Sequence, residues 1–310
     1  MLKAPFPYFG GKSKIAASVW AAVGQPGHYI EPFFGSGAVL LARPDWRPDM
    51  TETVNDKDGF VCNVWRSIQF SPDEVVRWCD WPVNHADLMA RRAELIRNEA
   101  RLLENLIADP VWHDPVIAGY WIWAASCWIG SGLTSPGAIP DIGNTGVHGK
   151  IPHIGNTGIG VHAKMKIPDI SGWLNELSVR LRRVRVVCGD WARVCGGDWQ
   201  DKKWPTVGMF FDPPYSAEAN RNNNLYRHES LTVAHDVREW CIERGRRDNY
   251  RIVVTGYAGE HEELLQHGWT FERWETRGGY GNQGGGKNEN SKKEVIWYSP
   301  YCKRMKTLFD

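Results

Sequence analysis

The apolar run Val207-Gly208-Met209-Phe210-Phe211 ends directly in Asp212-Pro213-Pro214-Tyr215, and this junction constrains the fold more than any other stretch of the chain. Two consecutive prolines fix φ and remove two backbone donors, so the strand stops there and the following loop is rigid, with carbonyls free to accept hydrogen bonds. In sheets built from alternating strands and helices, ligands bind beyond the carboxyl ends of the strands. A carboxylate, free carbonyls and an aromatic ring at such an end mark a candidate site.

The surrounding sequence supports an α/β frame. Ile15–Val23 reads as a helix, His28–Glu31 as a strand, Gly35–Leu41 as a turn into a helix and Glu52–Asn55 as a strand. The grammar resumes later with a helix near Trp173–Arg182, strands at Val184–Val187 and Val207–Phe211, a helix around Val233–Arg244 and a strand at Arg251–Thr255. Glu294–Tyr298 closes the series as an expected edge strand.

Between the two halves lies a mostly helical segment. Ser71 and Glu74 have capping-box spacing, and Ala90, Ala93, Ile96, Ala100, Leu103 and Ile107 are spaced by threes and fours, which predicts an amphipathic helix. The uncharged stretch between Asp114 and Asp141 has an apolar part, Val116–Gly130, shorter than the roughly 20 residues of a membrane span, so a buried helix is expected and no membrane partner. Trp121 and Trp128 fall seven apart and predict a shared helix face. Then IPDIGNTGVHGK (139–150) recurs as IPHIGNTGIGVHAKMK (151–166), and its Asn-Thr-Gly turns predict hairpins or an extended glycine-rich loop. His148, His153 and His162 lie in this repeat without a carboxylate or cysteine at ligand spacing, so no metal site is expected.

Composition narrows the class. The 310 residues, 42% of them hydrophobic, lie in the globular range and suffice for one large or two moderate domains at about 100–200 residues each. The seven cysteines are odd in number and form no C-x-x-C pair, which speaks against a disulfide framework or zinc knuckle and for a reducing compartment. The N-terminal MLKAPFPYFGGKSK lacks the apolar core of a signal peptide, so secretion is not expected. A net charge of +1 does not by itself indicate nucleic acid. Arginines nonetheless crowd at Arg180, Arg182, Arg183, Arg185 and Arg193, and again at Arg238, Arg244, Arg246, Arg247 and Arg251. Such runs are either solvated faces or phosphate-binding surfaces.

The chemistry of the Asp-Pro-Pro-Tyr loop suits the gripping of a planar exocyclic amino group. Acceptors hold its hydrogens, a ring stacks on its base, and the nitrogen lone pair is aimed at an electrophile, so that catalysis is mostly positioning. Upstream, Glu31-Pro32-Phe33-Phe34-Gly35-Ser36-Gly37 follows a strand and leads into a helix, a turn that lets backbone approach a ligand closely. Asp56, after the next strand, is placed to take a ribose hydroxyl pair. The dinucleotide fingerprint would need Gly where Leu40 stands, so an adenosine ligand without pyrophosphate fits better than NAD. Gly10-Gly11-Lys12-Ser13 would need Gly at Phe6 to be a P-loop; it remains a close-approach loop with one cation.

Taken in order, PYFGGKSK, YIEPFFGSGAV, VNDKD, CGDW and FFDPPY resemble the Dam-like (D12) class of DNA adenine-N6 methyltransferases, over roughly residues 5–59 and 184–298. The resemblance implies a Rossmann-like α/β sheet, seven-stranded and mostly parallel, that binds S-adenosylmethionine, formed by residues 1–59 and 184–310. Residues 60–183 would be an inserted helical target-recognition domain, with a glycine-rich hairpin or loop at 134–170. Tyr8, Gly10, Gly11, Lys12, the 31–37 turn, Asp56, Asp190 and Trp191 are the implied cofactor site, and Asp212, Pro213, Pro214 and Tyr215 the implied catalytic residues that hold a flipped base. Val254-Thr255-Gly256-Tyr257 stands where Ser-Asn is usual and Trp191 where Phe is usual. Double-stranded DNA is the implied partner, with Lys150, Lys164, Lys166, Arg182 and Arg183 as candidate contacts. The implied setting is cytoplasmic, bacterial or phage-encoded, and a monomer is slightly favoured. Most of the 17 tryptophans are expected in the core, and the glycine-rich stretch 278–290 reads as a closing loop or a plain surface loop. Two rivals stand beside this reading: a cytosine-N4 methyltransferase, against which Asp212 rather than Ser argues, and a DNA-binding protein without turnover.

Overall fold

A computed structural model describes residues 2–8, 10–128, 132–135, 161, 169–196, 203–214, 232–274 and 294–303. The IPxIGNTG repeat with Lys150, Lys164 and Lys166, the loop 278–290 and Tyr215 lie outside the described residues.

Seven strands form one sheet in the order β3-β2-β1-β4-β5-β7-β6. They are β1 His28–Glu31, β2 Thr51–Asp56, β3 Val184–Cys188, β4 Val207–Phe211, β5 Tyr250–Tyr257, β6 Thr270–Arg273 and β7 Glu294–Tyr298. The first five run parallel; β7 runs antiparallel to both β5 and β6. The central strands are buried at every position, HYIE in β1 and VGMFF in β4, because helices cover both faces. Val207, Met209 and Phe211 join the core on one side and Phe210 the core on the other. Gly208 is required in β4, since a Cβ there would collide with Val23 and Pro26.

One face carries α1 (Ala16–Val23), α2 (Ala38–Leu41) and the helices between β2 and β3: α3 Gly59–Phe70, α4 Pro72–Cys79, α5 His85–Ala108, α6 Pro115–Cys127 and α7 Ile170–Leu181. The other face carries α8 (Ala192–Cys195), α9 (Val233–Arg244) and a 3-10 helix at Glu262–His267. Side-chain caps set several starts: Asp58 accepts from Phe60 N–H at 2.8 Å, Asn84 from Asp87 N–H at 2.8 Å, Asp114 from Ile117 N–H at 3.1 Å and Asp169 from Gly172 N–H at 2.8 Å. The helices are keyed to the sheet through Arg66 of α3. This buried guanidinium donates to the carbonyls of Val186 in β3, of Leu106 in α5, and of Asp109 and Trp112 beyond it.

Four local expectations are corrected. Ser71 does not cap α4; its hydroxyl is paired with His113 Nε2 at 2.9 Å instead. In α5 the buried stripe is Leu88, Arg91, Arg92, Leu95, Leu102 and Leu106, not the alanine-rich one, because larger side chains fill the groove. Arg91 enters it by stacking on Tyr120 and Trp123, at 4.6 and 4.4 Å from the ring centroids. Trp128 does not share the face of Trp121, since α6 ends at Cys127 and Trp128 turns extended. Glu294–Tyr298 is an inner strand: β6, exposed at all four positions, forms the edge.

Among the described residues only Trp20, Trp65, Trp121, Trp123, Trp269 and Trp297 are fully buried; Trp112, Trp128, Trp173, Trp191, Trp204, Trp240 and Trp274 pack partly buried against the cores, and Trp81 is exposed, so a fully buried role holds for fewer than half of the 17. The part of the apolar stretch up to Cys127 lies in the buried helix α6, and among the described residues no helix is long and apolar enough to cross a membrane.

Candidate active site

The strand order reverses at β1: the chain runs outward through β2 and β3 on one side and then crosses to β4 on the other. A cleft open to solvent lies at the carboxyl ends of these strands, where ligands bind in sheets of this kind.

The turn after β1 forms its floor. Gly35 has φ 47° and Gly37 φ 62°, and a Cβ on Gly35 would lie 2.5 Å from the Tyr8 ring. The Gly35 N–H donates to Asp56 Oδ2 at 2.8 Å and its carbonyl accepts from Trp65 Nε1 at 2.8 Å. The turn is thus fixed by a ring, a carboxylate and an indole from three separate elements. Asn55 braces it from below, donating from Nδ2 to the carbonyls of Pro32 and Gly189, each at 3.0 Å.

Asp56 closes β2. It accepts from the N–H groups of Gly35 and Asp58, at 2.8 and 2.9 Å. Burial, with Asp58 adding repulsion, pushes its carboxyl up to about 6 against these backbone bonds. Glu31 at the end of β1 is also pushed well above the usual carboxylate range, first by burial, and its Oε2 accepts from the Tyr29 hydroxyl at 3.0 Å. Beyond β3, Asp190 accepts from Ala192 N–H at 2.9 Å and starts α8, which sets Trp191 over the cleft. The Trp191 and Phe33 rings lie nearly parallel, 25° between planes and 6.4 Å between centroids.

At the end of β4, Asp212 is held from two directions. Lys12 Nζ lies 2.9 Å from its Oδ2, and the Thr255 hydroxyl of β5 donates to its Oδ1 at 2.7 Å. Lys12 also donates to the Gly10 carbonyl at 2.9 Å, which tightens the N-terminal loop around the pair.

Tyr8, Gly10, Gly11, Lys12, Glu31, Pro32, Phe33, Phe34, Gly35, Ser36, Asp56, Asp190, Trp191, Asp212 and Pro214 all line the one cleft. Gly37 and Pro213 are buried behind it. Asn55, Lys57, Asp58, Gly189 and Val233 also line it; the first four lie in the VNDKD and CGDW segments but were not named as site residues from the sequence, and Gly189 has φ 133°, a conformation that favours glycine. Arg182 and Arg183 are not brought to this site. They precede β3, whereas the cleft lies beyond the strand ends, so they occupy the opposite edge of the sheet. Arg180 beside them is buried, bidentate on Glu52, which also pairs with Arg43.

Residues 8–94 match the family model of D12 class N6 adenine-specific DNA methyltransferases. That match spans the glycine turn, Asp56 and the first helices between β2 and β3, and it implies an adenine-specific DNA methyltransferase, into whose fold a seven-stranded α/β sheet fits. No curated protein matches the chain.

Proposed function

We propose, with that family match as premise, that the chain transfers a methyl group from S-adenosylmethionine to N6 of an adenine in duplex DNA. The observation that carries this reading is the convergence of the glycine turn, Asp56, the Phe33–Trp191 pair and Asp212 in one cleft.

The residues present fit the cofactor. Gly35 and Ser36 line the cleft without a bulky side chain, which leaves room for a ligand beside the turn. Asp56 accepts backbone N–H groups on both oxygens and, with about four lone-pair sites, keeps acceptor capacity for a ribose hydroxyl. Phe33 and Trp191 offer flat faces for an adenine ring. Asp56, Asp58, Asp190 and Asp212 outnumber Lys12 and Lys57 around the cleft, which favours a ligand bearing positive charge. When bound, the cofactor supplies an electrophilic methyl group.

The protein's part is positioning. The Asp212 carboxylate and the Pro213 carbonyl accept from the target amino group, so its lone pair points into the cleft. A base inside a duplex reaches such a site only by extrusion, at a cost of a few kcal/mol, and Tyr215 is the ring proposed to stack on it. The helices between β2 and β3, with residues 134–170, are proposed to read the DNA, and Lys150, Lys164 and Lys166 to contact its phosphates.

The test is incubation with labelled S-adenosylmethionine and mixed duplex DNA, then nucleoside digestion and mass spectrometry. N6-methyladenine is the expected product, lost in Asp212→Ala while cofactor and DNA binding persist. N4-methylcytosine would overturn the base assignment, and bound cofactor with no methylated nucleoside would favour a binding protein without turnover.

A further inference from the structure

We infer that Thr255 is a positioning residue for Asp212, holding the carboxylate in the rotamer from which it accepts from the target amino group. This inference rests on the methyl-transfer reading and adds to it a residue outside the strand-end loop.

The geometry is specific. Thr255 is fully buried on β5, the strand paired with β4 in parallel register, where Val254 faces Phe211. Its hydroxyl lies 2.7 Å from Asp212 Oδ1 and 3.2 Å from the Phe211 carbonyl. A hydroxyl has one proton, and the shorter contact, to a carboxylate, takes it. Lys12 holds the other oxygen, Oδ2, at 2.9 Å. A carboxylate bound at one oxygen can still rotate about χ2, a soft torsion; bound at both, by groups on two different elements, it cannot. Each oxygen retains a lone pair, so the double anchor fixes direction without consuming the capacity to accept from a substrate.

The anchor itself is rigid. The chain after Thr255 is closed by Tyr257 N–H donating to Glu260 Oε2 at 3.0 Å, and the His261 ring packs edge-on to Trp297 at 5.1 Å beside Gly256. With no exposed surface, Thr255 cannot touch substrate and acts through Asp212 alone.

The experiment compares wild type, Thr255→Val and Thr255→Ser by steady-state methyl transfer, cofactor titration and DNA binding. Val keeps the branched shape and removes the hydroxyl; Ser keeps the hydroxyl. Loss of a hydrogen bond to a charged group predicts roughly a ten- to hundred-fold fall in kcat for Thr255→Val, with cofactor and DNA affinities within about twofold, and recovery of most of kcat in Thr255→Ser. Unchanged kcat in Thr255→Val overturns the proposal, as does an equal loss in both variants or a loss confined to KM. A Thr255→Val protein that fails to bind cofactor has lost its fold, and Thr255→Ser against Thr255→Ala then decides by the same criterion. A wild type that methylates no base overturns the functional reading, and this proposal with it, without reference to any variant.

Discussion

Lys12 Nζ stands 2.9 Å from Asp212 Oδ2, so a loop near the start of the chain is ionically fastened to the rigid turn that ends β4. The Lys12 side chain is 6% exposed and that of Asp212 17%, and nothing in either local sequence announces the pair.

Replacing the cation tests its role. Lys12→Met should lower kcat by about a hundredfold, because a displacement of the carboxylate by about 1 Å is enough for such a loss. The melting temperature should move little, since Asp212 retains the Thr255 hydroxyl and partial access to water. Kinetics beside a thermal scan would check this; a large loss of stability with kcat preserved in the folded fraction contradicts it.

Asp56 predicts a pH dependence of cofactor binding. Its carboxyl is pushed up to about 6, and hydroxyl donors bind the ionised form. Cofactor affinity should fall by about tenfold per pH unit below roughly 6 and be level above it. For folding the sign is reversed: the folded state holds this proton longer than the unfolded chain. The stability contributed by the group is therefore complete below its ordinary range near 3.8 and is lost as pH rises through about 6. Calorimetric titrations at pH 5 and 7.5 would measure the first effect, and Asp56→Asn should abolish the dependence.

Glu52 predicts a loss of stability far from the cleft. It is 2% exposed and accepts from Arg43 Nη1 at 2.9 Å and from both terminal nitrogens of Arg180, at 2.6 and 2.9 Å. Glu52→Ala leaves two buried guanidinium groups without their anion, a cost of about 3–5 kcal/mol. Urea denaturation should show that fall, with kcat in the cold close to wild type; a change under about 1 kcal/mol would mean that water reaches the arginines.

Much of the frame was legible because apolar runs and turn residues are local signals. His28–Glu31, Val207–Phe211 and Val233–Arg244 form the elements their patterns predict, to the residue. β6 was not legible: Thr-Phe-Glu-Arg is exposed throughout and carries no buried alternation, so β7 looked like the end of the sheet. Charge was the weakest guide. Arginines adjacent in sequence divide among a buried pair at Arg180, a carbonyl contact from Arg193 to Cys188, and exposed Arg182 and Arg183 at the far edge. Proximity in the chain does not say to which end of a strand a side chain belongs. At the site, the glycine turn, Asp56 and Asp212 were legible from spacing, whereas Thr255 was not, since its partner lies on a neighbouring strand.

Arg66 bears on how such a protein could be re-engineered. Its guanidinium gathers carbonyls from the sheet and from the chain that ends α5 into a single node. A chimera in which the α4–α6 region came from a relative would have to import the same carbonyl geometry or leave a buried cation unsatisfied. Grafting between such proteins is therefore limited less by the loops at the splice points than by this one arginine, and the natural unit of exchange begins before residue 66 and ends after Trp112.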